Sequence, residues 1–220
     1  MAGLTEVPRW LQGAWRREGL ARGDGRLVEQ SDVLWLQTAT YFADVRIPDL
    51  PVVGELDALD EAQAFSGVGS FVEPRFTWTH DIDTRASRPL SPDTALLEGQ
   101  STYLLERGED YVERWRREAE PDRVAVLEWH GETAARRHGP APLARIVVVG
   151  RLAIGVWRHP SPAATSLVRA PGGWSTTATL GRLAQAPDVV EVMLDAMDRG
   201  DDLTKGWVRS DDRRVGRRPR

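Results

Sequence analysis

The stretch DVLWLQT-AT-YFADVRI, Asp32 to Ile47, decides the fold. β-branched and aromatic residues fill both halves, and only Ala39 and Thr40 separate them, so the pattern reads as a hairpin. Pro48 and Pro51 end it. The same grammar continues on both sides. Leu11 to Leu20 reads as a strand entering the turn Gly23-Asp24-Gly25, and an acidic link follows the hairpin at Asp57 to Ala64. Gly67 to Val72 and Arg75 to Asp83 form a second hairpin around Glu73-Pro74, and Ser87 to Asp93 is a proline-marked loop. Ala95 to Glu98, Ser101 to Glu106 and Asp110 to Arg116 follow as short strands. Val124 to His130 and Ile146 to Trp157 are the clearest late ones, with Gly150 marking a bend or bulge.

After Pro171 the apolar spacing becomes helical, over Thr176 to Asp198, with Ala186-Pro187-Asp188 as a fresh helix start. Arg209 to Arg220 is a basic tail expected to fray. Nine or ten short antiparallel-compatible strands and one helix predict a mainly β fold. An up-and-down barrel comes first and a sandwich second. The expected organisation is a barrel over residues 1–171, a helical segment packed on it over 172–208, and a tail over 209–220.

Composition narrows the function. The 220 residues are 41% hydrophobic and 28% charged, the balance of an ordinary globular chain. A net charge of -4 argues against a nucleic-acid partner. The absence of cysteine excludes disulfides, iron–sulfur clusters, cysteine–zinc sites and thiol catalysis. No apolar run approaches the roughly 20 residues of a membrane helix, and Met1 to Glu6 carries no signal-peptide pattern, so the expected setting is cytoplasmic, away from membranes. Lys205 is the sole lysine among 29 basic residues and asparagine is missing, which points to a GC-rich bacterial genome. Nine tryptophans are spread along the chain. Each is either core or the wall of a cavity for an apolar ligand.

The strings VLWLQTATYFADVRIP (33–48), AFSGVGSF (64–71), FTWTHDIDTR (76–85), TALLEGQ (94–100) and EDYVERWRR (109–117) are unusual for generic strands. In order and spacing they resemble a fungal family of lipocalin-like proteins of unassigned biochemical role. The later RIVVVGRLAIGVWR (145–158) is compatible with a closing strand pair. The resemblance covers roughly Leu11 to Arg158 and implies a lipocalin-like (calycin) barrel with a binding cavity. It carries no activity to transfer.

Strand parity then sorts the candidate site residues. Phe76, Trp78, His80 and Ile82 share one face, with Thr77, Thr79, Asp81 and Asp83 opposite. His80 is either a satisfied core histidine or a cavity acid/base. Tyr111, Glu113 and Trp115 share a face. An acid between two aromatics is either on the surface or inside the barrel against a cation or ligand. Phe42, Asp44 and Arg46 face opposite Ala43, Val45 and Ile47. Periodicity alone turns the apolar set inward, whereas the family-like string favours an inward Arg46 partnered by Asp44, Glu98 or Glu113.

The catalytic candidates are therefore His80, Glu113, Arg46 and Asp44. The ligand-lining candidates are Trp35, Gln37, Phe42, Trp78, Glu98, Tyr103, Tyr111 and Trp115. No histidine pair has metal-ligand spacing, and nothing in the spacing calls for haem or another cofactor. Ser66 to Ser70 is glycine-rich without a following helix, so it is no phosphate cradle, and no G-x-S-x-G elbow exists.

Three functions fit. The first is an enzyme holding a small, partly apolar organic molecule and acting by cofactor-free acid/base chemistry, of isomerase, cyclase or lyase type. The second is a non-catalytic carrier or sensor of such a molecule. The third is a protein-interaction module with a filled barrel. A homodimer is allowed by each.

Overall fold

The computed structural model describes residues 6–49, 62–85, 92–131, 142–158, 162–181, 186–201 and 207–210. Eight strands form a closed antiparallel barrel in sequential order: β1 (Gly13–Arg22), β2 (Ser31–Gln37), β3 (Tyr41–Pro48), β4 (Gln63–Val72), β5 (Arg75–Asp83), β6 (Asp93–Gly99), β7 (Tyr103–Arg107) and β8 (Tyr111–Ala119). β8 returns to β1, from Ala14 opposite Ala119 to Arg22 opposite Tyr111, and so removes both sheet edges. The lipocalin-like barrel expected from the sequence is the observed fold.

The barrel is complete at Ala119, short of the boundary expected near residue 171. The next strands form a separate antiparallel sheet: β9 (Val124–Trp129), β10 (Ala144–Val149), β11 (Leu152–Trp157), β12 (Ala163–Ala170), β13 (Gly173–Gly181) and β14 (Trp207–Ser210). Their spatial order is β13-β12-β11-β10-β9-β14. The pair read as closing the barrel is instead the central hairpin of this sheet, turning at Gly150 with φ 57°. Thr176 to Gly181, read as helical, is strand paired to β12. The helix α1 runs over Ala186–Arg199 and packs on β12 and β13, not on the barrel. Arg209 and Ser210, read as tail, pair with β9. Residues 57–61 of the acidic link, 87–91 of the proline-marked loop and 211–220 of the tail lie outside the described residues.

Three apolar clusters stack through the molecule. The barrel interior holds Trp15, Trp35, Phe42, Phe76, Trp78 and Trp115. A second cluster joins barrel to sheet, with Leu34, Leu36, Val45 and Ile82 against Val147, Val149, Ile154 and Val156. A third lies on the other face of the sheet, where Ile146, Val148 and Trp157 meet Val190, Met193 and Leu194 of α1. β10 and β11 are thus buried on both faces, which explains why Ile146 to Trp157 is nearly continuously apolar. Arg145 crosses the barrel–sheet interface. Its guanidinium meets Glu128 and Asp81 at 2.6 Å each and lies 4.7 Å from the Tyr41 ring centre.

Candidate functional site

The second sheet decides which way β3 faces. Ala43, Val45 and Ile47 turn outward into the barrel–sheet cluster, and Phe42, Asp44 and Arg46 turn inward. Periodicity alone favours the opposite orientation. It takes the apolar face for the barrel interior, but here that face is covered by another sheet.

β5 carries a further reversal. Ser66 pairs with Ile82 and Gly67 with His80, so Asp81 is an extra residue, a β-bulge. Before the bulge, Phe76, Trp78 and His80 point inward, as parity predicts. After it, Ile82 packs outside against the second sheet. Asp83, placed on the opposite face by parity, comes to lie beside His80, 3.5 Å away. Gly67 permits this close approach, because a Cβ there would stand 1.8 Å from the Thr79 carbonyl oxygen.

Indole rings floor the interior. Trp35 sits at the centre, with ring centroids 6.4 Å from Trp15, 5.7 Å from Trp78 and 5.6 Å from Trp115. These are edge-on and stacked spacings that add to area burial. Trp15 Nε1 donates to the Leu11 carbonyl and Trp115 Nε1 to Glu106. Trp35 Nε1 is buried and has no partner.

Above this floor opens a cavity of about 470 Å³. Arg17 reaches Glu113 Oε1 at 2.6 Å and grips both oxygens of Glu29 at 2.9 Å. Burial pulls the Arg17 guanidinium down, but Glu29 and Glu113 outweigh it and hold the proton more tightly than usual. Arg46 donates to Asp44 at 3.0 Å and lies 3.8 Å from Glu113. Burial again opposes its charge, and Asp44 and Glu113 again prevail.

Glu106 and Glu113 stand directly opposite each other on β7 and β8, both buried. Burial, and after it the charge of Glu113, push the Glu106 carboxyl up to about 8. Tyr111 Oη donates to Glu106 Oε1 at 2.7 Å, and its own ionisation is pushed far up by burial and by Glu106. Glu113 Oε2 is buried with no partner.

His80 lies behind the cavity wall, stacked on Phe65 at 4.5 Å. Asp83 faces its Nδ1, and Asp93 lies 3.2 Å from Nε2, though poorly aligned for a hydrogen bond. Burial works against the imidazolium, but the two carboxylates raise it to about 9.

Of the residues singled out in the sequence, Trp35, Asp44, Arg46, Trp78, Tyr111, Glu113 and Trp115 line this one cavity. Phe42 and His80 stand behind its wall, 5.7 Å apart between ring centres. Gln37 is buried away from it, donating to the Thr38 carbonyl. Glu98 and Tyr103 are corrections. Both lie exposed on the outer wall, where Glu98 meets Arg107 at 3.5 Å.

Sequence reasoning missed Arg17, Glu106, Asp83 and Asp93. Glu106 shares its parity with the core residue Leu104, a signal that the following Arg-Gly turn masked. Arg17 shares its parity with Trp15. Nothing in the sequence marks the bulge that brings in Asp83. Among the described residues, no group of three or more histidine, aspartate or glutamate side chains is arranged to hold a metal ion. Among the described residues, too, no helix is long and apolar enough to cross a membrane.

No protein-family model matches the chain, and no curated protein matches it. Among solved structures, the chain is similar to a lipocalin-like protein from Bacteroides uniformis, at 17% identity and a TM-score of 0.36, over 49% of this chain and 98% of that one.

Proposed function

We propose that the barrel holds a small, partly apolar organic molecule and moves protons on it with its own carboxyl groups. The cavity volume lies within the usual range for small-molecule sites, and its walls pair an aromatic floor with a few convergent polar groups. The observation that carries the reading is the Glu106–Glu113 pair, in which one carboxyl keeps its proton near neutrality and its neighbour has an unpartnered oxygen.

The chemistry follows from those two states. Glu113 Oε2 takes a proton from one ligand atom while Glu106 gives one to another, a tautomerisation in which atoms balance. The proton then returns across the β7–β8 pair to reset the site. Arg46, held by Asp44, faces negative charge developing on the ligand. His80, fixed as an imidazolium behind Phe65, supports the wall, and the carboxyl pair takes the proton-moving role assigned to it from the sequence. Kinship with the fungal family rests on the strings quoted above and adds no activity to this reading.

Quenching of tryptophan fluorescence by a library of small aromatic molecules tests the site. Saturable quenching by at least one class is expected, and Leu20→Trp, which fills the mouth from β1, abolishes it. Chromatography of incubated ligands then tests the chemistry. Glu106→Gln is expected to retain binding and lose turnover. Recovery of every bound ligand unmodified would return the carrier reading. A library without a ligand would end both.

A further inference from the structure

The cavity's charge and its orphaned atoms define the ligand further than its volume does. This inference rests on the small-molecule reading above. Three polar atoms on cavity-lining residues have no partner: the acceptors Glu113 Oε2, on a residue 2% exposed, and Gln63 Oε1, and the donor Trp35 Nε1, on a residue 1% exposed. A buried polar atom left unsatisfied costs on the order of 1–3 kcal/mol, which a ligand presenting the complementary group recovers. Glu113 therefore asks for a donor, and the indole N–H for an acceptor or a π face.

The arginines do not meet that demand. Arg17 is already divided between Glu29 and Glu113 Oε1, and Arg46 is held by Asp44. At the mouth, Arg22 pairs with Asp110 and Arg85 with Asp83. His80 is taken by Asp83 and Asp93. Each cation facing the cavity thus already has a carboxylate, while Glu106 is satisfied only by the neutral donors of Tyr111 and Trp115. An anionic ligand would have to break an existing pair, whereas a cationic one would complete an incomplete set.

The floor fits the same ligand. Trp35, Trp78 and Trp115 lie around the acidic pair, and cations are attracted to indole faces. We propose that the barrel binds a monocationic aromatic amine, with its ammonium at Glu113 Oε2 and its ring among Trp35, Trp78 and Trp115.

The test is calorimetric titration of the full chain with phenethylamine, 2-phenylethanol and 3-phenylpropanoate, which share a ring and differ in the charge of the head group. Phenethylamine is expected to bind at least tenfold more tightly than the alcohol, with no measurable binding of the carboxylate. Glu113→Gln should reduce the preference for amine over alcohol to under threefold, and because Arg17 keeps Glu29 that variant retains a partner for its guanidinium. Equal or tighter binding of the alcohol or the carboxylate overturns the cationic assignment while leaving the small-molecule site intact. Failure of all three ligands also overturns it, and only a blank across the wider library removes the site itself.

Discussion

Replacing Glu106 by Gln tests the central feature of the site through stability alone, with no ligand required. In the folded protein the carboxyl titrates at about 8, against an ordinary value near 4.5. Its folded pKa is raised, so between these values the folded state keeps a proton that the unfolded chain has released. Stability therefore falls as pH rises through that window and levels off above it. The full penalty is roughly 5 kcal/mol at about 1.36 kcal/mol per pH unit. Glutamine mimics the protonated acid, with its carbonyl accepting from Trp115 Nε1 and its amide turned to the Tyr111 oxygen. Wild type and Glu106→Gln should thus be similar in stability near pH 5. The variant should be ahead by roughly 2 kcal/mol at pH 6.5 and by several kcal/mol at pH 8.5. The interval below pH 6.5 isolates Glu106, because His80 binds its proton in both folded and unfolded chains there. Urea denaturation followed by tryptophan fluorescence, at half-unit pH steps, reads the difference. A gap between the two proteins that stays constant from pH 5 to 8.5 would refute the assignment of a raised, buried carboxyl.

Three other outcomes follow. His80, raised to about 9 from 6.5, contributes stability that is whole below pH 6.5 and is lost as pH rises through 9. The C2–H resonance of its imidazole should titrate near 9, and a midpoint at or below 6.5 would contradict the Asp83–Asp93 clasp. Gly67→Ala drives a Cβ into the Thr79 carbonyl oxygen at the bulge. It should cost about 3 kcal/mol by denaturant titration, and a loss under 0.5 kcal/mol would show that the bulge relaxes freely. A chain ending at Arg123 would expose Leu34, Leu36, Val45 and Ile82, each worth about 1.5–3 kcal/mol of burial. Chromatography and circular dichroism should show it unfolded or associated, and a cooperative monomer would prove the barrel independent of its sheet.

The strands were legible because each one is short, β-branched or aromatic, and bounded by turn residues. Their partners were less so. Ile146 to Trp157 reads as strand wherever it pairs, and no local signal says that it belongs to a second sheet. Thr176 to Gly181 has the residue spacing of a helix and the pairing of a strand, because β12 offers it a ladder. In the site, Trp78, Tyr111, Glu113 and Trp115 follow from parity, which holds wherever a strand is regular, and Trp35 from its aromatic ring alone. Parity failed at Asp83, two residues beyond the bulged Asp81. Glu98, chosen as a carboxylate partner for Arg46, and Tyr103, chosen as an aromatic wall, occupy an ordinary solvated outer wall instead.

Asp44 and Arg46 show why this barrel can carry charge inside. In a barrel surrounded by water, β3 would have to turn Val45 and Ile47 inward to bury them. Here the second sheet covers that face, so the apolar half of β3 is buried outside the barrel and its polar half is free to line the cavity. Much of the apolar packing has moved to the barrel–sheet cluster and the indole floor. The mouth is thereby released from forming the core, and it keeps an arrangement that a core would reject, with two carboxyls facing each other and one oxygen unsatisfied. Such a pair lowers stability at neutral pH, and the surrounding clusters must offset that cost. Local conflict held in place by well-packed surroundings is a common physical signature of a functional site. In this molecule the conflict lies at the open end of the barrel, within reach of a ligand.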